Sequence, residues 1–242
     1  MGTSADRTAG SGGAWTPLKF AATAYVRSLD AGAGSRRERA GRVLARHVPV
    51  LGGAGGATAS ARAGRAGLQR LGGLLSGIGE SGLAATLEAF GLGALVGRDR
   101  FDVLDSLVTL IAGDGDDLDS QAARDAACDV LDEVFAEAED WEDLTAATVT
   151  REGLVALLEA FLTQYVYNRV PVIAERLARI TDPAAARRAD EEMRQIVATL
   201  VALRLPDDPF AVDWSGAQGR RIAGDAIRAV YDTLEALDGR NE

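Results

Sequence analysis

Residues 150–165 read TREGLVALLEAFLTQY, and this stretch carries the clearest helical pattern in the chain. Its large apolar residues recur at intervals of three and four positions, which places them on one face of a helix. They are Leu154, Leu157, Leu158, Phe161, Leu162 and Tyr165. The pattern predicts a long helix that begins near Thr150, and Pro171 predicts a kink or break after it.

The same period continues along most of the chain from Trp15 onward, so we predict an all-α, multi-helix fold. Strand-like alternation occurs only at Phe210, Val212 and Trp214, which is too short to imply a sheet. Period and capping residues together predict helices over residues 16–29, 35–48, 100–112, 119–139 and 183–205, and a last helix from a capping box at 215–218.

Glycine interrupts the pattern between residues 51 and 97. The segment LGGAGGATAS (51–60) is interpreted as a Gly-rich join between helices. The apolar stretch after it is interpreted as short helices in close contact. Gly77, Gly79 and Gly82 match the spacing G-x-G-x-x-G of dinucleotide-binding loops. No strand precedes them, so we interpret these glycines as sites of close backbone packing.

Two regions are predicted from composition. Residues 1–14 form a flexible Gly/Ser-rich tail, and residues 15–242 form a helical domain, two-lobed if the acidic turn at 113–118 is a boundary. Residues 1–100 contain 13 basic and 6 acidic residues, whereas residues 101–242 contain 13 and 30. The net charge of −10 argues against non-specific binding along a duplex.

The catalytic inventory is small, and we predict no metal, no cofactor and no enzymatic activity. His47, Cys128 and Lys19 are the only residues of their types, which excludes a Cys/His zinc site and a P-loop. The acidic turn fails the EF-hand pattern because Asp119 stands where glycine is required, so we interpret it as a solvated turn with N-capping aspartates. A further alternative is a hydrolase that uses carboxylates such as those of residues 137–143.

The residue content also predicts the cellular compartment of the protein. A lone thiol fits a reducing compartment, and the sequence has neither an 18-residue apolar stretch nor a signal-peptide core. We expect a cytoplasmic protein that does not bind membranes.

Five arginines form a candidate basic patch: Arg39, Arg42 and Arg46 on one predicted helix, and Arg62 and Arg65 on the next. They favour a surface that pairs with acidic groups. The alternative function is a nucleic-acid or nucleotide-sensing module that uses this arginine-rich half. Trp214 is interpreted as a core residue.

The stretches MGTS, GGAWTPLK, GRAGLQRLGGLLSGIGESGL and GLGALVGR resemble the QatB family, a component of the four-gene Qat anti-phage defence system of bacteria. The resemblance is strongest over about the first hundred residues. It implies a non-enzymatic protein that binds a QueC-like enzyme, QatC, and acts beside a P-loop ATPase and a TatD-like nuclease.

The resemblance also implies that QatC joins a 7-deazaguanine base to the N-terminal glycine. The matching position here is Gly2, with Thr3, Ser4 and Trp15 as candidate partner-recognition residues. An α-amine has a pKa near 8, so a fraction of it is neutral and nucleophilic in the cell. Myristoylation is disfavoured because Asp6 stands where its motif requires Ser or Thr.

Overall fold

A computed structural model describes residues 13–29 and 33–238. Within these ranges the chain forms α-helices and two short 3-10 helices, Val48–Leu51 and Gly93–Leu95, and contains no β-strand. The predicted all-α, multi-helix fold is therefore confirmed. The α-helices are α1 (Trp15–Val26), α2 (Ala33–His47), α3 (Gly53–Ser60), α4 (Arg62–Ala89), α5 (Arg100–Ala112), α6 (Leu118–Val134), α7 (Trp141–Ala146), α8 (Arg151–Asn168), α9 (Pro171–Leu177), α10 (Pro183–Ala198) and α11 (Ala217–Asp238).

The helices belong to two compact units. The first contains the described residues up to Ser60, the segment Val170–Leu200 and the described residues from Arg228 onward. The second contains Ala61–Arg169 and Val201–Ile227. The acidic turn at 113–118 lies inside the second unit, between α5 and α6.

In the first unit, α1 packs against α2 and α9, and α10 packs against α2. The inner face of α1 consists of Leu18, Ala22 and Tyr25, which are spaced four and three residues apart and are fully buried. The core of this unit also contains aliphatic residues of α2 and α9 and Met193 of α10.

In the second unit, α8 packs on α6 and α4, and α5 packs on both of those helices. The apolar face predicted for α8 is buried along its whole length. Thr150 caps this helix, because its side-chain oxygen accepts a hydrogen bond of 3.0 Å from the Gly153 N–H.

Several predicted boundaries were wrong. The predicted join at 51–60 is mostly helical, since α3 starts at Gly53. The stretch after it, predicted as short helices, forms a long and a short helical part of α4 that are separated by a break at Gly82. Gly82 has a φ of +78°, a conformation that L side chains rarely adopt, and this ends the regular helix there. Helices α1, α6 and α10 end three, five and seven residues earlier than predicted, and α7 was not predicted.

Two predicted helix starts also shift. Helix α1 begins at Trp15 without a side-chain cap, so Pro17 is not its first residue. Near α11, the Gln218 side-chain oxygen accepts a hydrogen bond of 3.2 Å from the Asp213 N–H, not from Ser215. The reciprocal cap is therefore centred on Asp213, whose carboxylate accepts the Gly216 N–H at 2.8 Å.

The glycines of α4 are contact points for aromatic rings. A Cβ added at Gly67 would lie 2.7 Å from the Phe161 ring, and one at Gly79 would lie 2.6 Å from the Phe210 ring. Added Cβ atoms at Gly64 and Gly72 would overlap the rings of Tyr165 and Trp214. Close packing is thus the role of these glycines, as predicted for Gly79. The same prediction was wrong for Gly82, where an added Cβ would meet no atom within 4 Å. Trp214 is confirmed as a core residue, 4% exposed.

Candidate functional site

The predicted modification site and its neighbours, Gly2, Thr3 and Ser4, lie outside the described residues. The described chain begins at Gly13, and Trp15, the third predicted recognition residue, is the half-buried first residue of α1. Helix α1 is therefore the element to which the predicted tail is joined.

A buried hydrogen bond fixes α1 in the first unit. The Tyr25 hydroxyl donates to the carbonyl oxygen of Ala189 on α10 at 2.9 Å and lies 3.5 Å from a carboxylate oxygen of Glu192. The same carboxylate oxygen is 3.3 Å from Nε of Arg36 on α2. Three helices thus meet at one polar cluster, and α1 has a rigid attachment.

Burial raises the pKa of Tyr25 well above its usual value, and the nearby charge of Glu192 raises it further. A raised pKa means that the folded state holds the proton more tightly than the unfolded state. We therefore expect the contribution of this group to the free energy of unfolding to be constant below pH 10 and to fall as the pH rises above about 10. Urea unfolding between pH 7 and 11 measures this.

The Tyr25→Phe variant is the control for that measurement. It should lose about 1 kcal/mol at pH 7 with the hydrogen bond to Ala189, and its stability should decline less than that of the wild type above pH 10. Parallel decline of the two proteins would contradict the assignment to Tyr25.

An open groove of about 400 Å³ lies on the first unit, lined by residues of α2 and α10: Arg36, Arg187, Arg188, Glu191, Glu192 and Gln195. Its lining mixes guanidinium and carboxylate groups, and Arg36 already pairs with Glu192. The groove therefore has no single charge sign that would select a class of ligand.

The candidate basic patch is divided between the two units. Arg39, Arg42 and Arg46 lie on α2 of the first unit, whereas Arg62 and Arg65 lie at the start of α4 in the second. The Arg42 guanidinium is 2.8 Å from the Glu38 carboxylate, and Arg39 donates to the Ala24 carbonyl at 3.3 Å. At least these two arginines have contacts within the protein, in both cases with a residue of the first hundred and not of the acidic half.

The other reactive side chains, His47 and Cys128, lie on different helices. His47 is the buried last residue of α2, and burial together with nearby aspartates raises the pKa of the half-buried Cys128 thiol. In the described part of the chain, no group of three or more His, Cys, Asp or Glu side chains could hold a metal ion.

A second cavity of about 240 Å³, in the second unit, borders the acidic stretch that was considered for hydrolysis. Asp140 in this stretch caps α7, because its carboxylate accepts the Asp143 N–H at 3.0 Å. The Asp143 carboxylate in turn accepts the Glu139 N–H at 3.0 Å. Both carboxylates thus have local backbone partners.

Sequence reasoning missed the role of Asp119. Of the acidic turn, Asp117 caps α6, but Asp119 is half-buried and not a cap, so that part of the prediction was wrong. One of its oxygens accepts the Tyr165 hydroxyl at 2.5 Å and lies 3.5 Å from Nε of Arg169, while the other accepts the Ala63 N–H at 2.7 Å.

The Arg169 guanidinium also lies over the Tyr165 ring, 5.7 Å from its centroid. Asp119, Tyr165 and Arg169 therefore form a buried polar cluster that joins α6, α8 and the first turn of α4. The only sequence signal for it was a charged residue within the apolar stretch YVYNRVPV.

Comparison with protein families gives one match. The model of the Qat anti-phage system associated protein QatB matches residues 52–234, which is most of the chain. The chain belongs to the QatB family. It is therefore a component of the Qat anti-phage defence system. No curated protein and no solved structure matches it.

The matched region includes the α4 glycines, the Asp119 cluster and most of α11. The expectation that the resemblance is strongest in the first hundred residues was wrong, since the match continues to residue 234 and does not include residues 1–51. The stretches MGTS and GGAWTPLK are thus outside it.

None of the described helices combines the length and the apolar character that crossing a membrane requires.

Proposed function

We propose that this QatB-family protein binds the QueC-like enzyme QatC and presents the α-amine of Gly2 for conjugation to a 7-deazaguanine base. The observation that carries the proposal is the family match together with a small residue, Gly2, directly after Met1. In this scheme the protein is a substrate and adaptor in the cytoplasm, and catalysis belongs to the partner. The ATPase and the TatD-like nuclease complete the complex.

The chemistry of the N-terminus suits this role. With an ordinary α-amino pKa near 8, roughly a tenth of the amine is neutral at pH 7, and the neutral form is the nucleophile. Glycine adds no side chain that would obstruct a deep pocket. ATP-dependent activation of the base is then the work of QatC, and Thr3 and Ser4 are the residues that follow the amine into the pocket.

The test is the mass of the N-terminal peptide after co-expression with the other Qat proteins. We expect the wild type to carry an adduct on Gly2, and the Gly2→Glu variant to carry none, because a large second residue prevents removal of Met1. Protection against phage, measured as plating efficiency, should be lost together with the adduct.

Gly10→Glu is the matched control, because it introduces the same charge into the same segment and leaves the amine available. It should retain both the adduct and protection. A protective system in which wild-type Gly2 is unmodified would refute the proposal.

A further inference from the structure

Helix α1 has an outer face whose side chains are exposed in the described part of the first unit. Thr16, Ala24 and Arg27 lie on it, opposite the buried Leu18 and Tyr25. At its centre is Phe20, whose side chain is 72% exposed. In the described part of the first unit, no other large apolar side chain is mostly exposed, since Val96, Phe101 and Leu118 belong to the second unit.

An exposed phenylalanine on a rigid helix is the kind of residue that anchors a protein interface. Aromatic anchors contribute a large share of binding energy, because their big apolar surface is removed from water at a small entropic cost. The hydrogen bond from Tyr25 to α10 holds α1 in place before any partner arrives, so little ordering remains to be done on binding.

The charged side chains of α1 and its C-cap residue have one sign. Lys19 and Arg27 are exposed, and the sequence of α1, WTPLKFAATAYV, contains no acidic residue. This differs from the acidic character of the chain as a whole, with its net charge of −10. A complementary surface would therefore present an apolar pocket bordered by carboxylates.

The position of this face relative to the tail limits what can bind there. Gly2 is eleven residues before Gly13, so whatever conformation the intervening chain adopts, the two are at most about 40 Å apart. Phe20 follows Trp15 by five residues, about 8 Å along the helix axis. The amine of Gly2 therefore stays within about 40 Å of the start of α1, and an enzyme that holds it can also contact Phe20.

We infer that the outer face of α1, centred on Phe20, is the docking surface for the enzyme that modifies Gly2. This inference rests on the proposed function. Docking there raises the local concentration of the amine at the active site, so Phe20 affects capture of the substrate and not the chemical step. The enzyme surface that meets it is an apolar pocket with an acidic border.

The experiment compares full-length Phe20→Glu with full-length Phe101→Glu as substrates of the purified QueC-like enzyme. Phe101 is 76% exposed, so both changes replace an exposed phenylalanine by the same charge and leave the core intact. The rate of adduct formation on Gly2 is measured by mass spectrometry over a range of protein concentrations. Circular dichroism confirms that both variants are folded.

We expect Phe20→Glu to lower kcat/KM by about tenfold or more, with kcat nearly unchanged, and Phe101→Glu to behave as the wild type. Lys19→Glu should lower kcat/KM by a few-fold and weaken its dependence on salt. If the wild type is modified but Phe20→Glu is modified equally well, or Phe101→Glu is equally impaired, the docking surface is wrong and the proposed function stands.

If the wild type is not modified at all, the proposed function fails, and direct binding to the same enzyme tests the surface separately. Binding that is lost in Phe20→Glu and kept in Phe101→Glu would still support the surface. Binding that is equal in both variants, or absent in the wild type, would overturn it.

Discussion

Replacing Asp119 by alanine is expected to lower the free energy of unfolding by about 3–5 kcal/mol, the usual effect of removing one partner of a buried ion pair. The substitution removes the carboxylate that faces the Arg169 guanidinium, 6% exposed, and the Tyr165 hydroxyl. It also removes the acceptor of the Ala63 N–H. Three donors, two of them on buried side chains, therefore lose an acceptor that water cannot easily replace.

Urea unfolding of Asp119→Ala beside Asp116→Ala measures this effect. Asp116 is an exposed aspartate of the same acidic turn, and its replacement should change the stability by less than about 0.5 kcal/mol. The double variant Asp119→Leu/Arg169→Met should recover part of the loss, since it leaves no unpaired charge in the core. Equal effects of the two alanine variants would show that Asp119 is not part of a buried pair.

Helices whose signals are local were predictable from sequence. Helix α5 extends from Arg100 to Ala112 as predicted, because Gly113, with a φ of +78°, ends it. Helix α8 begins where Thr150 can cap it, and every residue of its predicted apolar face is buried. In both cases the pattern and the terminal residues lie within one segment, so no distant contact is needed to specify the helix.

Features that depend on distant residues were not predictable. Helix α3 consists largely of glycine and alanine, and its glycines would weaken an isolated helix. Its first turn is held by the Glu235 carboxylate, which accepts the Ala54 N–H at 3.0 Å from 181 residues away. Asp119 likewise meets partners 46 and 56 residues distant, so its position in an acidic turn suggested solvent exposure.

The residues of the candidate site also differ in whether the sequence could identify them. Gly2 was suggested by resemblance to a family, and nothing in the helical pattern pointed to it. Phe20 was not recognised, because the apolar residues of α1 surround the helix and the sequence does not show which side packs. Only the burial of Leu18, Ala22 and Tyr25 identifies the inner face and leaves Phe20 outside.

Replacing Gly64 by alanine is expected to destabilise the protein by about 2 kcal/mol, because overpacking a well-filled site costs about 1–3 kcal/mol. A Cβ at this position would overlap the ring of Tyr165, which is fully buried. The ring cannot easily move aside, since its hydroxyl donates to Asp119 and the Arg169 guanidinium covers its face. This loss exceeds the gain of up to about 1 kcal/mol that alanine normally brings to a helix.

Gly224→Ala provides the matched control in the same unit. Gly224 lies within α11, and an added Cβ would meet no atom within 4 Å. This variant should be more stable than the wild type by about 0.5–1 kcal/mol, so that the same chemical change has opposite effects on stability at the two positions.

Because Gly64 and Asp119 act through the same tyrosine, Gly64→Ala and Asp119→Ala together should lower the free energy of unfolding by less than the sum of their separate effects. Stabilisation by Gly64→Ala, or strict additivity with Asp119→Ala, would mean that the Tyr165 ring can relax and that the cluster does not hold it in place.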